Sequence, residues 1–190
     1  MKENPKSAPA ENAQNARRVS RLARAAVFIF GLLIISGLVL LVFRLSSPVI
    51  GHKNVKLMFA HFGYSALRPV EQEVRRELWH RDPLATVVRA LMDGPVDNDS
   101  LPVIPAGTKL HACWHAGGIA YVDFGREFFL GLAEEAEAEV LAVYGLVNTI
   151  VENIPEMKKV QILIDGAPRV TLRGLARVYQ PLSPRRELEK

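Results

Sequence analysis

The chain has 190 residues, 49% of them apolar, with one cysteine and a formal charge of +4. One cysteine excludes an intramolecular disulfide, so stability has to come from an apolar core. Residues 1–44 hold seven Lys/Arg against two Asp/Glu, a net +5, whereas residues 45–190 hold seventeen against eighteen, a net −1. The larger part therefore has no basic excess to offer a nucleic acid.

Residues 1–24 form a polar tail rich in Asn and Ala, expected to be disordered and placed in the cytoplasm. Residues 25–43 (AAVFIFGLLIISGLVLLVF) are nineteen uncharged positions with Ser36 as the one polar side chain. As a helix they span about 28 Å, close to the hydrocarbon thickness of a bilayer. Arg17, Arg18, Arg21 and Arg24 precede the run and Arg44 follows it. That bias predicts a single transmembrane helix with the N-terminus inside and the rest on the extracytoplasmic side of the cytoplasmic (inner) membrane. A cleaved signal peptide has a shorter apolar core and a small-residue cleavage site, which RLSSPVIG does not supply. Lipidation would need a cysteine at the end of the run, and Cys113 lies far downstream. A buried helix apolar all round would need a larger protein to enclose it.

Residues 44–54 read as a linker, 55–182 as one domain and 183–190 as a C-terminal tail. Val55–Phe62 is a predicted strand, and Leu67–Leu78, interrupted by Pro69, is read as an extended or edge segment. Asp82-Pro83 marks a helix start, and Leu84, Val87, Val88 and Leu91 repeat at helical spacing until Gly94-Pro95 stops them. Lys109–Phe124 is a hairpin. A three-residue Ala116-Gly117-Gly118 loop would pair Trp114 with Ala120, Ala112 with Val122 and Leu110 with Phe124, keeping one face apolar and burying Trp114. A two-residue Gly117-Gly118 turn would instead pair Trp114 with Tyr121 and set Asp123 on the apolar face, so the longer loop is expected. Next comes a helix over Leu132–Asn153, with an apolar stripe of Val140, Leu141, Tyr144, Val147, Val151 and Ile154. Glu134, Glu135, Glu137 and Glu139 are expected to form the solvated face of its first turns. Val160–Ile164 is a strand closed by Asp165-Gly166, and Leu172–Val178 offers a short last strand. The order strand-helix-strand-strand-helix-strand predicts an α+β domain, one sheet packed by two helices.

Leu91-x-x-Gly94-Pro95, Ile104-Pro105-x-Gly107-Thr108, Ala120-x-Val122-Asp123-Phe124, Asn148-Thr149 and Gly166 occur in that order. Together they resemble the GerMN family, the domain named for sporulation and spore germination proteins, over about residues 55–182. The resemblance implies an extracytoplasmic α+β domain without enzymatic activity, associated with envelope assembly, sporulation or germination. It brings no catalytic residue set. The landmark residues also have local explanations as helix stops, turns and core.

His111-x-Cys113-x-His115 is the sharpest chemical candidate, with Tyr121 and Asp123 expected on the same face. Same-face neighbours on a strand stand about 6.6–7 Å apart, so three on one straight strand do not converge on one ion. No catalytic, cofactor-binding or metal residue is assigned, and no cofactor is expected. His52, His61 and His80 have no visible partners, and G-x-S-x-G, H-E-x-x-H, P-loop and C-x-x-C motifs are absent. The resulting expectation is a non-catalytic, membrane-tethered domain acting on cell-envelope proteins or by self-association. The alternative is a peptidoglycan or glycan-binding module using exposed aromatics such as Tyr64, Trp79, Tyr121 and Tyr179.

Overall fold

The structure, a computed structural model, describes residues 29–40 and 51–190. Residues 29–40 are helical (α1), with large apolar side chains from Ile29 to Leu40 exposed. The remainder of the expected transmembrane span, 25–28 and 41–43, lies outside the described residues, as do the tail 1–24 and most of the linker. Among the described residues no helix is long and apolar enough to cross a membrane. Val49–Lys190 forms a second unit, and among the described residues every buried hydrophobic residue of the core lies within it, from Val55 to Val178. The domain's core is therefore self-contained.

Its first strand, β1 (His52–His61), alternates Val55, Leu57 and Phe59 on one face with Met58 and Ala60 on the other, all of them buried. β2 (Leu67–Arg75) pairs antiparallel along its length, and β3 (Ser100–Leu101) adds a short pairing at Ala60 and His61. β2 is thus the edge strand expected from Pro69. Pro69 faces Met58, whose N–H points away from β2 to Thr149 Oγ1 at 2.9 Å. Opposed residues in an antiparallel ladder exchange both hydrogen bonds or neither, so the proline's missing N–H falls on the outer edge.

After β2 the chain turns through a short helix, α2 (Arg76–Arg81), into α3 (Pro83–Met92). Asp82 caps α3 by accepting from Ala85 N at 2.9 Å, and Leu84, Val87, Val88 and Leu91 are all buried, as their spacing requires. The hairpin strands are β4 (Leu110–Ala116) and β5 (Ile119–Phe124). A four-residue helix, α4 (Glu127–Leu130), leads to α5 (Ala136–Asn153), and β6 (Lys159–Ile164) pairs parallel to β5. A parallel pair needs a crossover, which α5 supplies.

Five expectations are corrected. There are two three-stranded sheets, β2-β1-β3 and β4-β5-β6, in place of one. α5 touches β1 and β6, and its side chains take the place of a further strand beside β1. Asn153 accepts from Lys56 N at 2.9 Å and donates to Lys56 O at 2.7 Å, while Thr149 serves Met58 N. These side chains satisfy backbone groups that a ladder would otherwise have to satisfy.

The hairpin closes by the two-residue Gly117-Gly118 turn, with φ of 57° and 77°, pairing Trp114 with Tyr121 and Ala112 with Asp123. Positive φ at both centres is the two-residue hairpin geometry that glycine permits. An irregularity between Leu110 and Ala112 leaves His111 bulged and returns Leu110 to Phe124. The bulge lets the apolar face of β5 stay apolar without a longer loop, so Trp114 is 44% exposed, not buried.

Glu139, expected in solvent, is 2% exposed. Leu172–Val178 forms no strand; it is a loop with one bridge, Thr171 to Arg177. Residues 183–190, expected to trail as a tail, are fastened: Asn148 exchanges hydrogen bonds with Arg185 N and O, each at 2.9 Å, and Lys190 N donates to Leu67 O at 2.9 Å.

Candidate functional site

The two sheets expose two outer edges of different character. β2 carries Arg68, Pro69, Glu71, Glu73 and Arg75, and its start is covered where Glu189 bridges to Leu67. Charge and proline are how edges are kept from pairing with other chains. β4 (LHACWHA) has neither; its titratable side chains are two histidines and the cysteine.

Trp114 stands on that edge strand and stacks on Tyr121, ring centroids 5.3 Å apart and planes 3° from parallel. The stack follows from the two-residue turn, which sets the two residues opposite each other. Beside it lies a groove of about 530 Å³, lined by Arg81, Leu84, Cys113, Trp114, His115 and Met157 among others. The groove wall is mixed: the indole and the Met157 and Leu84 side chains are apolar, while Arg81, Asp82 and Glu156 bring charge. An exposed aromatic beside a groove and an unprotected strand edge suits recognition of an extended chain by main-chain pairing.

The His-Cys-His set does not assemble. The bulge turns His111 to Asp123 and Asp165, with Nδ1 3.9 Å from a carboxylate oxygen of each. Cys113 and His115 pair with Val122 and Ala120, out of phase with Asp123. Among the described residues no group of three His, Cys, Asp or Glu is placed to hold a metal ion. Burial pushes the Cys113 thiol up, and the Asp82 carboxylate pushes it the same way against a smaller opposing effect of Arg89. A thiol held protonated is a poor nucleophile.

The other sequence candidates are scattered. His52 lies 3.8 Å from Glu73 on the surface, His61 sits against the Phe62 carbonyl, and His80 is exposed on α2. Tyr64 is in the β1–β2 turn, Trp79 on α2 beneath the Lys53 ammonium at 4.6 Å, and Tyr179, 45% exposed, in the C-terminal loop.

Glu139 was missed as a structural centre. Its Oε1 accepts from Leu172 N and Arg173 N at 3.0 Å and Ala176 N at 3.2 Å, and Oε2 accepts from Leu175 N at 2.9 Å. Burial alone would raise this carboxyl's pKa, but the four N–H donors outweigh it and hold the pKa below the usual value. Its spacing was a readable signal: residues 142, 143, 146 and 150 are buried, and 139 falls in phase with them.

No curated protein matches the chain. Solved structures share its fold, among them two of one sporulation protein. The tandem GerMN domains of the sporulation protein GerM from Bacillus subtilis match with a TM-score of 0.59 at 19% identity, over 73% of this chain and 48% of that one. The chain thus spans about half the length of that tandem-domain chain. The first GerMN domain of the same protein matches with a TM-score of 0.51 at 21% identity, over 69% of this chain and 97% of that one. Residues 61–170, more than half of the chain, match the family model Germane, described as sporulation and spore germination. The chain belongs to the Germane family of sporulation and spore germination domains.

Proposed function

We propose that this protein is a non-catalytic envelope domain, tethered to the cytoplasmic membrane by residues 25–43, that works by binding an envelope protein or further copies of itself in a sporulation- or germination-related process. The observation that carries the binding role is the β4 edge: free of proline and formal charge, and bearing the exposed Trp114–Tyr121 stack beside a groove. Family membership supports the process, and the apolar run with its flanking arginines supports the tether. A non-catalytic role is supported by the character of the site, where the one thiol is held protonated and the histidines point to different faces.

Location is tested by fractionating cells that express the tagged full-length protein. The domain should resist carbonate extraction from membranes and be digested by protease added to spheroplasts. Recovery in the soluble fraction, or protection from that protease, would overturn the tether. A glycan reading is favoured by the exposure of Trp114 and Tyr179 alone. Retention of the domain on purified peptidoglycan, abolished by Trp114→Ala, would replace the protein-binding reading.

A further inference from the structure

The C-terminal loop presents a second surface, separate from β4. Residues 166–181 (GAPRVTLRGLARVYQP) hold three arginines and no carboxylate, in a part of the chain that is otherwise slightly acidic. The loop is fastened: Val178 N donates to Val170 O at 3.0 Å, Thr171 bridges to Arg177, and Glu139 holds the turn between them. Leu172, Ala176 and Val178 point into the core. What remains outside is Arg169, Val170, Arg173, Leu175, Arg177 and Tyr179, cations interleaved with apolar side chains. Val170 is 71% exposed and Leu175 57% exposed, and Leu130 on α4 is 67% exposed. α4 meets the loop where the Arg169 guanidinium lies 4.8 Å over the Phe129 ring.

Scattered exposed apolar residues are ordinary. Several on one fastened loop, alternating with guanidinium groups, match the interfacial zone of a bilayer, where phosphate and acyl chain lie within a few ångströms of each other. We infer that this loop docks on a membrane surface containing anionic phospholipid, with Arg169 and Arg177 at headgroup phosphates and Val170 and Leu175 at the acyl boundary. Arg173 is spent within the fold, its Nη1 donating to Leu132 O and Ala133 O at 3.1 and 2.7 Å. Glu134 and Glu135 lie beside Arg173 and Leu175 and oppose an anionic surface there, which leaves the attraction to Arg169 and Arg177. The docking rests on the tethered reading for its biological setting.

The isolated domain, residues 49–190, is mixed with vesicles of phosphatidylglycerol and phosphatidylcholine, or of phosphatidylcholine alone, and sedimented. The expected result is co-sedimentation with the anionic vesicles only, declining as salt rises. Arg169→Glu with Arg177→Glu should weaken it by more than about tenfold. Val170→Ser with Leu175→Ser should weaken it at an unchanged melting temperature. No co-sedimentation, equal binding to both vesicles, or wild-type binding by the arginine variant would each overturn the inference. Retention on polyglutamate without vesicle binding would overturn it too, in favour of an acidic protein. Failure of the tether itself would show separately, in the fractionation of the full-length protein.

Discussion

The carboxylate of Glu139, in the first turn of α5, accepts the backbone N–H of Leu172 at 3.0 Å across a gap of 33 residues. With the N–H groups of Arg173, Leu175 and Ala176 it makes one buried acid the centre of a loop that has no regular structure of its own. Glu139→Ala strands those donors and should cost about 3 kcal/mol; Glu139→Gln, which keeps an acceptor but loses the charge, should cost about 2 kcal/mol. Urea denaturation at neutral pH measures both.

The sign of the pH dependence follows from the same site. The folded pKa of Glu139 is lowered, so its stabilisation is fully present above the unfolded value of about 4.3 and is lost as pH falls through the lower folded value. Glu127, Glu152 and Glu187 are lowered as well and contribute to the acid slope of both proteins. The stability gap between wild type and Glu139→Gln should therefore shrink as pH falls below the unfolded value of about 4.3. A gap constant with pH would mean that the glutamate's charge is not what holds the loop.

Thr149 tests whether side chains of α5 replace a strand beside β1. Thr149→Val keeps the shape and removes the acceptor from Met58 N, a buried donor, and should cost about 1–3 kcal/mol. Thr149→Ser should recover most of that loss in the same denaturation experiment. Equal losses for both would assign the effect to packing.

The hairpin turn makes a backbone prediction. Gly117 has φ of 57° and open space around a Cβ, so Gly117→Ala meets only the left-handed backbone penalty, about 1 kcal/mol. Gly117→Asn should cost less, because asparagine tolerates that region. A three-residue loop with Trp114 in the core would change the larger outcome: Trp114→Ala should cost about 1 kcal/mol from the exposed stack, against about 3–5 kcal/mol for a buried tryptophan.

Elements whose cause is local were legible in the sequence. Asp82-Pro83 specified the start of α3, helical spacing specified its buried face, and Asp165-Gly166 specified a turn, with φ of 52° and 79°. The errors share a different origin, a long-range compensation. The apolar face of β5 was correctly valued, but the bulge at His111 preserves it by a route that strict alternation does not contain. The acidic run at 134–139 was read by composition, and composition hid that Glu139, inside α5, is in phase with Val143 and Leu146. The C-terminal segment looked like a strand and a tail because its partners, Glu139 and Asn148, lie on a helix more than thirty residues earlier. The candidate site was legible as a place, the β4–β5 hairpin, while the face each side chain takes was not.

The proposed binding role is tested most directly by site-specific photo-crosslinking in intact cells. A photoreactive amino acid is placed at Trp114 on the β4 edge, and in a control at Glu73 on the charged β2 edge, in the full-length protein. The account predicts a discrete adduct from position 114, with one envelope protein or with a second copy of the chain, and none from position 73. Adducts of equal yield from both positions, or none from position 114 in cells where the protein is folded and membrane-bound, would contradict it.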